Sequence, residues 1–532
     1  MARTLRPFLL SLALVGFCAF LGGLFGSDSL SVAAAATEDD LSGGLKQFTS
    51  VYRLVEENSA DKVDPDKSIF KGAIPGMLRT LDPHSSFFDV KDFANLREEQ
   101  RGMYYGVGMT VQPKDGRTVV VAPFTGSPAY KAGIRPGDVI LEVNDKRTDG
   151  LTTTQVADML KGPKGTPVQI LIAREGVDKP ITFNVIRGEI PRHSVETAFF
   201  IKPGIMYVDV QSFTETTSKE IEEAFKKLGE QNVKGLVLDL RDNPGGLLNE
   251  GVAVAGRFLR RGQTVVSHRG RSSPEKPYSA TNGSSSRDYP IVVLVNRYSA
   301  SAAEIVAGAL QDHDRAYIIG DNTFGKGLVQ TVFPLSENTG LALTTAKYYT
   351  PSGRLIQRDY SNGSFYDYYF RKDIETKNLM DAKMTDGGRT VYGGAGISPD
   401  EKVTFTYNKF QIDLLRRRAF FDFVAKYFGA HDTNIPKTWT PDAAMLQEFR
   451  EYLLKNGTQF TEQDFAENTE WVKTELKKEA WITCFSRDES LKLAAETDPT
   501  VVKALDDLPK ARTLLENAKK QMVRNDVRSP RN

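Results

Sequence analysis

Residues 290–321 read PIVVLVNRYSASAAEIVAGALQDHDRAYIIGD, and this stretch sets the class of fold. Ile291 to Val295 is an unbroken apolar run of strand character. From Ala302 to Leu310 the apolar residues take helical spacing, and RAYIIGD then returns to a strand pattern. Upstream, GIMYVDVQSF (204–213) and KGLVLDLR (234–241) also have strand character, with helical periodicity between them in SKEIEEAFKKL (218–228). Alternating strands and helices predict an α/β core over 191–408 with a largely parallel sheet.

Ser301 stands where the central strand gives way to the helix. Ser301-x-x-Glu304 has the form of a capping box, with the hydroxyl satisfying an amide of the first turn. A serine at such a place is ordinarily only a cap. To act as a nucleophile it needs a base. His313, flanked by Asp312 and Asp314, is the obvious candidate, but a continuous helix puts it ~18 Å away at 1.5 Å per residue. Hydrogen-bond reach is about 3 Å, so His313 is expected to be a helix-end residue. Lys326 in NTFGKGLVQ (322–330) fits better. Gly325 and Gly327 let the backbone turn sharply there and approach other chain closely. A lysine base must be neutral, and lowering its pKa from ~10.4 to ~7.5 costs roughly 4 kcal/mol. Burial against apolar walls does this, with Phe324, Leu328 and Val329 to supply them and Gln330 to orient the amine. For a developing oxyanion, the amide of Ala302 is free at the helix start. A second donor is available in LDLRDNPGGLL (238–248), where Gly245 and Gly246 open a turn after a strand.

Residues 99–190 change character. YYGVGMTV, TVVVAPF, DVILEVN and VQILIAREG are short apolar segments between Gly, Pro and Asp, with one helix at 153–160. The phrase GSPAYKAGIRPGDVILEVND (126–145) resembles the PDZ domain. That resemblance implies capture of an extended peptide C-terminus as an added strand. Its carboxylate loop would be Tyr105, Gly106, Val107 and Gly108, with Val156 and Leu160 lining the groove.

SASAAEIVAGALQD (299–312), TFGKGLVQ (323–330), DLRDNPGG (239–246) and KYYTPSGRLIQ (347–357) jointly resemble the C-terminal processing (tail-specific) peptidase family. The resemblance covers roughly residues 40–405. It implies a serine–lysine dyad on a crotonase-like α/β protease core with an inserted PDZ domain. In that family's terms Ser301 is the nucleophile, Lys326 the base and Gln330 its orienting partner, and Ala302 and Gly246 give the oxyanion amides. No cofactor is implied. One departure is Ala303, where the family usually has serine.

Around this core, Arg3 and Arg6 precede an apolar segment, Pro7 to Phe25, and small residues follow at Ala33 to Ala36. That is the order of a secretory signal cleaved after Ala36, so residues 1–36 are expected to direct export to the periplasm or cell envelope. The alternative is an uncleaved membrane anchor. Cys18 follows Phe17, too large for lipoprotein cleavage, and without it only Cys484 remains, so no internal disulfide is expected. Residues 37–98 have a helical pattern broken at LDPHSSFF, whose His84 is expected to be a capping or surface residue. The aromatic run DYSNGSFYDYYFRKD from Asp359 is expected as an insertion at the edge of the core. Residues 409–532 are charged and helical, with an apolar stripe of Phe410, Leu414, Phe421, Val424 and Phe428 suited to core or subunit contact.

A net charge of +1 with no basic block gives nucleic-acid binding no electrostatic support. Five scattered histidines in no ligand pattern give a metal site none either. The expected partners are unfolded or flexible proteins with apolar C-termini, with an adaptor protein and a homo-oligomer in view. An inactive PDZ scaffold is the rival reading, and it would require a missing dyad member. An acyl-CoA enzyme of crotonase type is another, opposed by the PDZ module and the export signal. The segment Arg187 to Val195, RGEIPRHSV, has a proline and several charges. It is expected to be a hinge through which the PDZ module holds Lys326 misaligned until a C-terminus docks.

Overall fold

The computed structural model describes residues 38–281, 283, 287–361, 365–370 and 378–528. The expected signal segment and Cys18 lie outside the described residues. Among those described, no helix is long and apolar enough to cross a membrane. The described residues fall into two compact units that divide between Met77 and Leu78. In the first, the helix Glu38–Asn58 exposes Leu41, Leu45 and Phe48 at helical spacing.

This division cuts the segment expected over 37–98 in two, and the expected break at LDPHSSFF holds a strand. Residues from Leu78 onward belong to the larger unit, and Ser86–Phe88 is a strand paired antiparallel with Gly340–Tyr349. Three residues are too few to display a period of two, and their partner is distant in the chain.

The centre of the larger unit is a six-stranded sheet. Its order is Val195–Lys202, Ile205–Val210, Gly235–Asp239, Ile291–Val295, Tyr317–Gly320, Glu401–Lys402. The first pair is antiparallel and every later one parallel. Successive side chains point to opposite faces. Val208, Leu238, Val293 and Ile318 pack in one core with residues of the helices Thr217–Leu228, Leu248–Gly256 and Ala302–Asp312. Tyr207, Val237, Val292 and Ile319 pack in another with Val501, Ala504 and Leu508 of the terminal helix Pro499–Arg528. Both faces are covered, which is why these strands are continuous apolar runs.

The C-terminal extension therefore does two things. Its last helix closes the second face of the central sheet, while Lys409–Cys484 builds its own aromatic core. Phe410, Leu414, Val424 and Phe428 are buried in that core as expected, but Phe421 is not, and Phe420 and Phe423 are buried instead. The helix stops at Arg416 and restarts at Ala419 after Arg418 in a left-handed conformation, φ 54°. That break resets the helical phase.

A second sheet is antiparallel and was not legible as strands. It contains Thr264–Gly270, Ser273–Ser279, Leu328–Pro334, Gly340–Tyr349 and Ser86–Phe88. The PDZ-like module has a sheet in the order Met109–Lys114, Arg117–Pro123, Val139–Val143, Pro167–Ala173, Ile181–Ile186. The helix Thr153–Leu160 packs on it, started by a capping box between Thr152 and Gln155. Met103–Gly106 leads into the module and Gly188–Pro191 leads out, paired antiparallel with Gly106 opposite Gly188. Within the segment expected as a hinge, Gly188–Pro191 is thus a paired strand. Arg187 is buried and donates to the carbonyls of Met159, Leu160 and Pro167. Proline and charge signal a loop only when no partner strand exists, and here the partner lies across the inserted module.

Candidate active site

The turn after Gly235–Asp239 and the turn before Ala302–Asp312 meet. Asn243 is fully buried; its side-chain oxygen accepts from the Gly245 amide at 2.8 Å and its amide nitrogen donates to the Val210 carbonyl at 2.6 Å. Its backbone carbonyl accepts from Ala300 N–H at 2.9 Å. Ser301 follows with φ 53° and ψ −113°, a backbone state that residues with a Cβ rarely adopt. A Cβ on Gly245 would stand 2.6 Å from that of Ser301, so glycine alone lets the two turns touch.

Glu304 couples this turn to the loop of Lys326. It is fully buried, and one carboxylate oxygen accepts from the amides of Ser301 and Lys326, both at 2.8 Å. The other accepts from the Thr323 hydroxyl at 2.5 Å and the Gly325 amide at 2.7 Å. Burial pushes its pKa up, and these bonds oppose the shift. In sequence Glu304 is only half of a capping box, because its second set of partners lies beyond the next strand.

Lys326 is largely withdrawn from solvent. Burial lowers its pKa, against the raising charges of Glu304 and Asp82. Its amine donates to Gln330 Oε1 at 3.1 Å, and Gln330 Nε2 donates to the backbone carbonyl of His84. The Tyr348 hydroxyl donates to the Lys326 carbonyl. Both flanking glycines are needed: a Cβ on Gly325, at φ 88°, would meet Arg358 Cβ at 2.9 Å, and one on Gly327 the Gln357 amide nitrogen at 2.8 Å.

One expectation is corrected here. His84 is not a surface residue. It is partly buried, with Nε2 2.9 Å from the Tyr368 hydroxyl and its ring edge-on to Tyr368 and Phe324. Burial, then the charge of Lys326, lower its pKa to about 4. Of the segment from Asp359, expected at the edge of the core, the described Tyr368 and Tyr369 wall this site. His313 is a helix-end residue as expected, held between Asp386 and the Thr264 carbonyl.

Among the described residues, no acceptor is found for the amide of Ala302 or of Gly246. Gly246, Ser301 and Lys326 line one cleft of about 1410 Å³ together with Phe124, Ser127 and Lys161 of the PDZ-like module. Ala303 is fully buried in the core, away from that cleft.

Within the module, the carbonyls of Val107 and Gly108 accept from Ala129 and Phe124, and no acceptor is found for their amides among the described residues. Gly106 is buried and Tyr105 exposed. Val156 and Leu160 do not open onto a groove. They are 0% and 4% exposed in the module's core, because the helix sits directly on the sheet, and Val111 and Met159 are the partly exposed neighbours.

The model of peptidase family S41 matches residues 204–363, and a PDZ domain model matches 119–174. The carboxy-terminal-processing protease of Bartonella bacilliformis is 41% identical over 347 residues, 64% of this chain and 79% of that one. The chain belongs to peptidase family S41. The carboxyl-terminal-processing protease of Synechocystis is 39% identical over 292 residues, covering 54% of this chain and 68% of that one. CtpB of Bacillus subtilis, also a carboxy-terminal processing protease, is 32% identical over 332 residues, with 61% and 68% covered. This S41 peptidase is a serine-type carboxyl-terminal processing hydrolase carrying a PDZ domain.

Proposed function

We propose that this peptidase is exported to the cell envelope, holds the free apolar C-terminus of an unfolded protein on its PDZ module, and cleaves upstream through an acyl-enzyme. Lys326 Nζ takes the proton of Ser301 Oγ as that oxygen bonds to the scissile carbonyl carbon. The resulting oxyanion receives the amides of Ala302 and Gly246. Collapse breaks the C–N bond, and the protonated lysine gives its proton to the departing amine. Water then attacks the ester, again losing a proton to Lys326, and Ser301 is regenerated.

The observation that carries this reading is the shared carboxylate of Glu304. It binds the amides of Ser301 and Lys326 with the same oxygen, joining a strained serine to a buried lysine. A lysine whose pKa is lowered by burial retains the lone pair that a base needs. For the PDZ module, the unpartnered amides of Val107 and Gly108 suit a carboxylate. Ser301→Ala and Lys326→Ala are each expected to lower kcat by at least ~10³-fold on an unfolded protein with an apolar tail. Retained cleavage by either folded variant refutes the dyad.

A further inference from the structure

Gln330 has a side-chain amide whose two ends differ, and only one orientation suits a lysine base. With Oε1 toward Lys326, the amine donates one N–H and keeps its lone pair for Ser301. Turned over, Nε2 would donate into that lone pair and compete with the serine hydroxyl. The orientation is set by what lies on the far side of the amide. There stands the backbone carbonyl of His84, which can only accept; it takes Gln330 Nε2–H and, at 3.3 Å, the Ser86 hydroxyl.

That carbonyl is held by a turn built around Asp82, 5% exposed. Asp82 Oδ1 accepts from the amides of His84 and Ser85, both at 2.8 Å, and Oδ2 accepts from the Ser85 hydroxyl at 2.6 Å. Ser85 Oγ in turn accepts from the Thr344 amide at 3.1 Å. Thr344 is the cross-strand partner of Gln330, beside a register shift between Val329 and Gln330. Such a bulge re-aims a side chain. The turn therefore braces Gln330 twice, through the strand opposite its backbone and through the carbonyl facing its amide.

We propose that the Asp82–Ser85 turn, with Asp82 as its positioning residue, fixes the orientation of the Gln330 amide and thereby keeps the lone pair of Lys326 free for Ser301. The inference rests on the reading of Lys326 as base. The turn lies outside the matched S41 segment, so it completes the site from a distant part of the chain.

The test compares pH profiles of kcat and KM for the full-length protein and its variants. The charges acting on the Lys326 amine are those of Glu304 and Asp82; Tyr348 binds the lysine's backbone carbonyl, and the neutral His84 is itself acted on by Lys326, Asp82 and Arg358. Asp82→Ala removes the acceptor of both turn amides and is expected to lower kcat by ~10²-fold with KM little changed. Asp82→Asn retains an oxygen acceptor and removes a charge that raises the lysine pKa. It is expected to restore kcat to within ~3-fold of wild type and to move the acid limb to lower pH. A folded Asp82→Ala enzyme with wild-type kcat overturns the proposal, whatever its acid limb.

Should Asp82→Ala fail to fold, Ser85→Ala with glutamine-selective ¹⁵N labelling decides the matter. Exchange of the Gln330 side-chain amide is expected to be slow in wild type and about tenfold faster in Ser85→Ala. Unchanged exchange overturns the proposal. This readout does not involve the reaction, so it separates failure of the turn from failure of the base assignment, which Lys326→Ala reports.

Discussion

At the scale of single residues, the site is a contest between burial and charge. Lys326 is more readily neutral in the folded chain than in the unfolded one, because burial outweighs the attraction of Glu304 and Asp82. Above its unfolded pKa the two states bind equally few protons and the lysine costs nothing. As pH falls through that value the unfolded chain gains a proton first, so stability drops until the folded pKa is passed. Below that point the cost is complete. Lys326→Met is therefore expected to abolish activity yet raise the unfolding temperature at neutral pH, with the gain vanishing near pH 11. Calorimetry at the two pH values checks it, and a variant less stable than wild type at neutral pH contradicts it. The same residue was legible in sequence through its two glycines. Glu304 was only half legible, since a capping box names the bond to Ser301 and is silent about those to Thr323, Gly325 and Lys326.

Among the elements, the terminal helix Pro499–Arg528 decides whether the central sheet has one covered face or two. Periodicity showed that the strands are apolar throughout, and an apolar run needs a partner on each side. Which helix supplies it is not written in the strands. Leu508, 9% exposed, is in the core formed with Val237 and Val292, and Leu508→Ala is expected to cost about 2–4 kcal/mol in urea unfolding. A loss below ~0.5 kcal/mol, the range of ordinary surface substitutions, would mean that the helix does not seal the sheet. The antiparallel second sheet illustrates the complementary failure. Its strands Leu328–Pro334 and Gly340–Tyr349 carry partly buried positions and mixed residues, so they lack a strong period.

For the larger unit, the PDZ module and the turns of Gly246, Ser301 and Lys326 face one cleft. The module is also tied to the C-terminal extension by Lys114–Asp422 at 2.7 Å and by Arg418 donating to the Pro113 carbonyl at 3.0 Å. The register of Gly106 opposite Gly188 shows where the module can be removed cleanly. Replacing Val107–Arg187 by a two-residue Asn-Gly turn keeps the strand pair intact as a hairpin. If the module restrains the site until a C-terminus docks, this variant cleaves a substrate lacking an apolar tail at least ~3-fold faster than the full chain. An equal or slower rate, with the core folded, leaves the module as a tether alone.

The amino-acid sequence by itself determined the α/β class, and its motifs, through their resemblance to known families, pointed to the inserted PDZ module and to Ser301, Lys326 and Gln330 as the residues to watch. These are local properties: runs of apolar residues, glycine beside a residue that must approach other chain, a serine at a strand-to-helix turn. Only the tertiary structure decided that Asp82 and His84 stand behind Gln330, that Tyr368 walls the site, and that the last helix closes the sheet. Gln330 and His84 are 246 residues apart. Hydrophobic periodicity extends over a few turns of chain, whereas a hydrogen bond between distant segments depends on how whole elements pack. A backbone carbonyl that orients a glutamine leaves no residue type by which to find it.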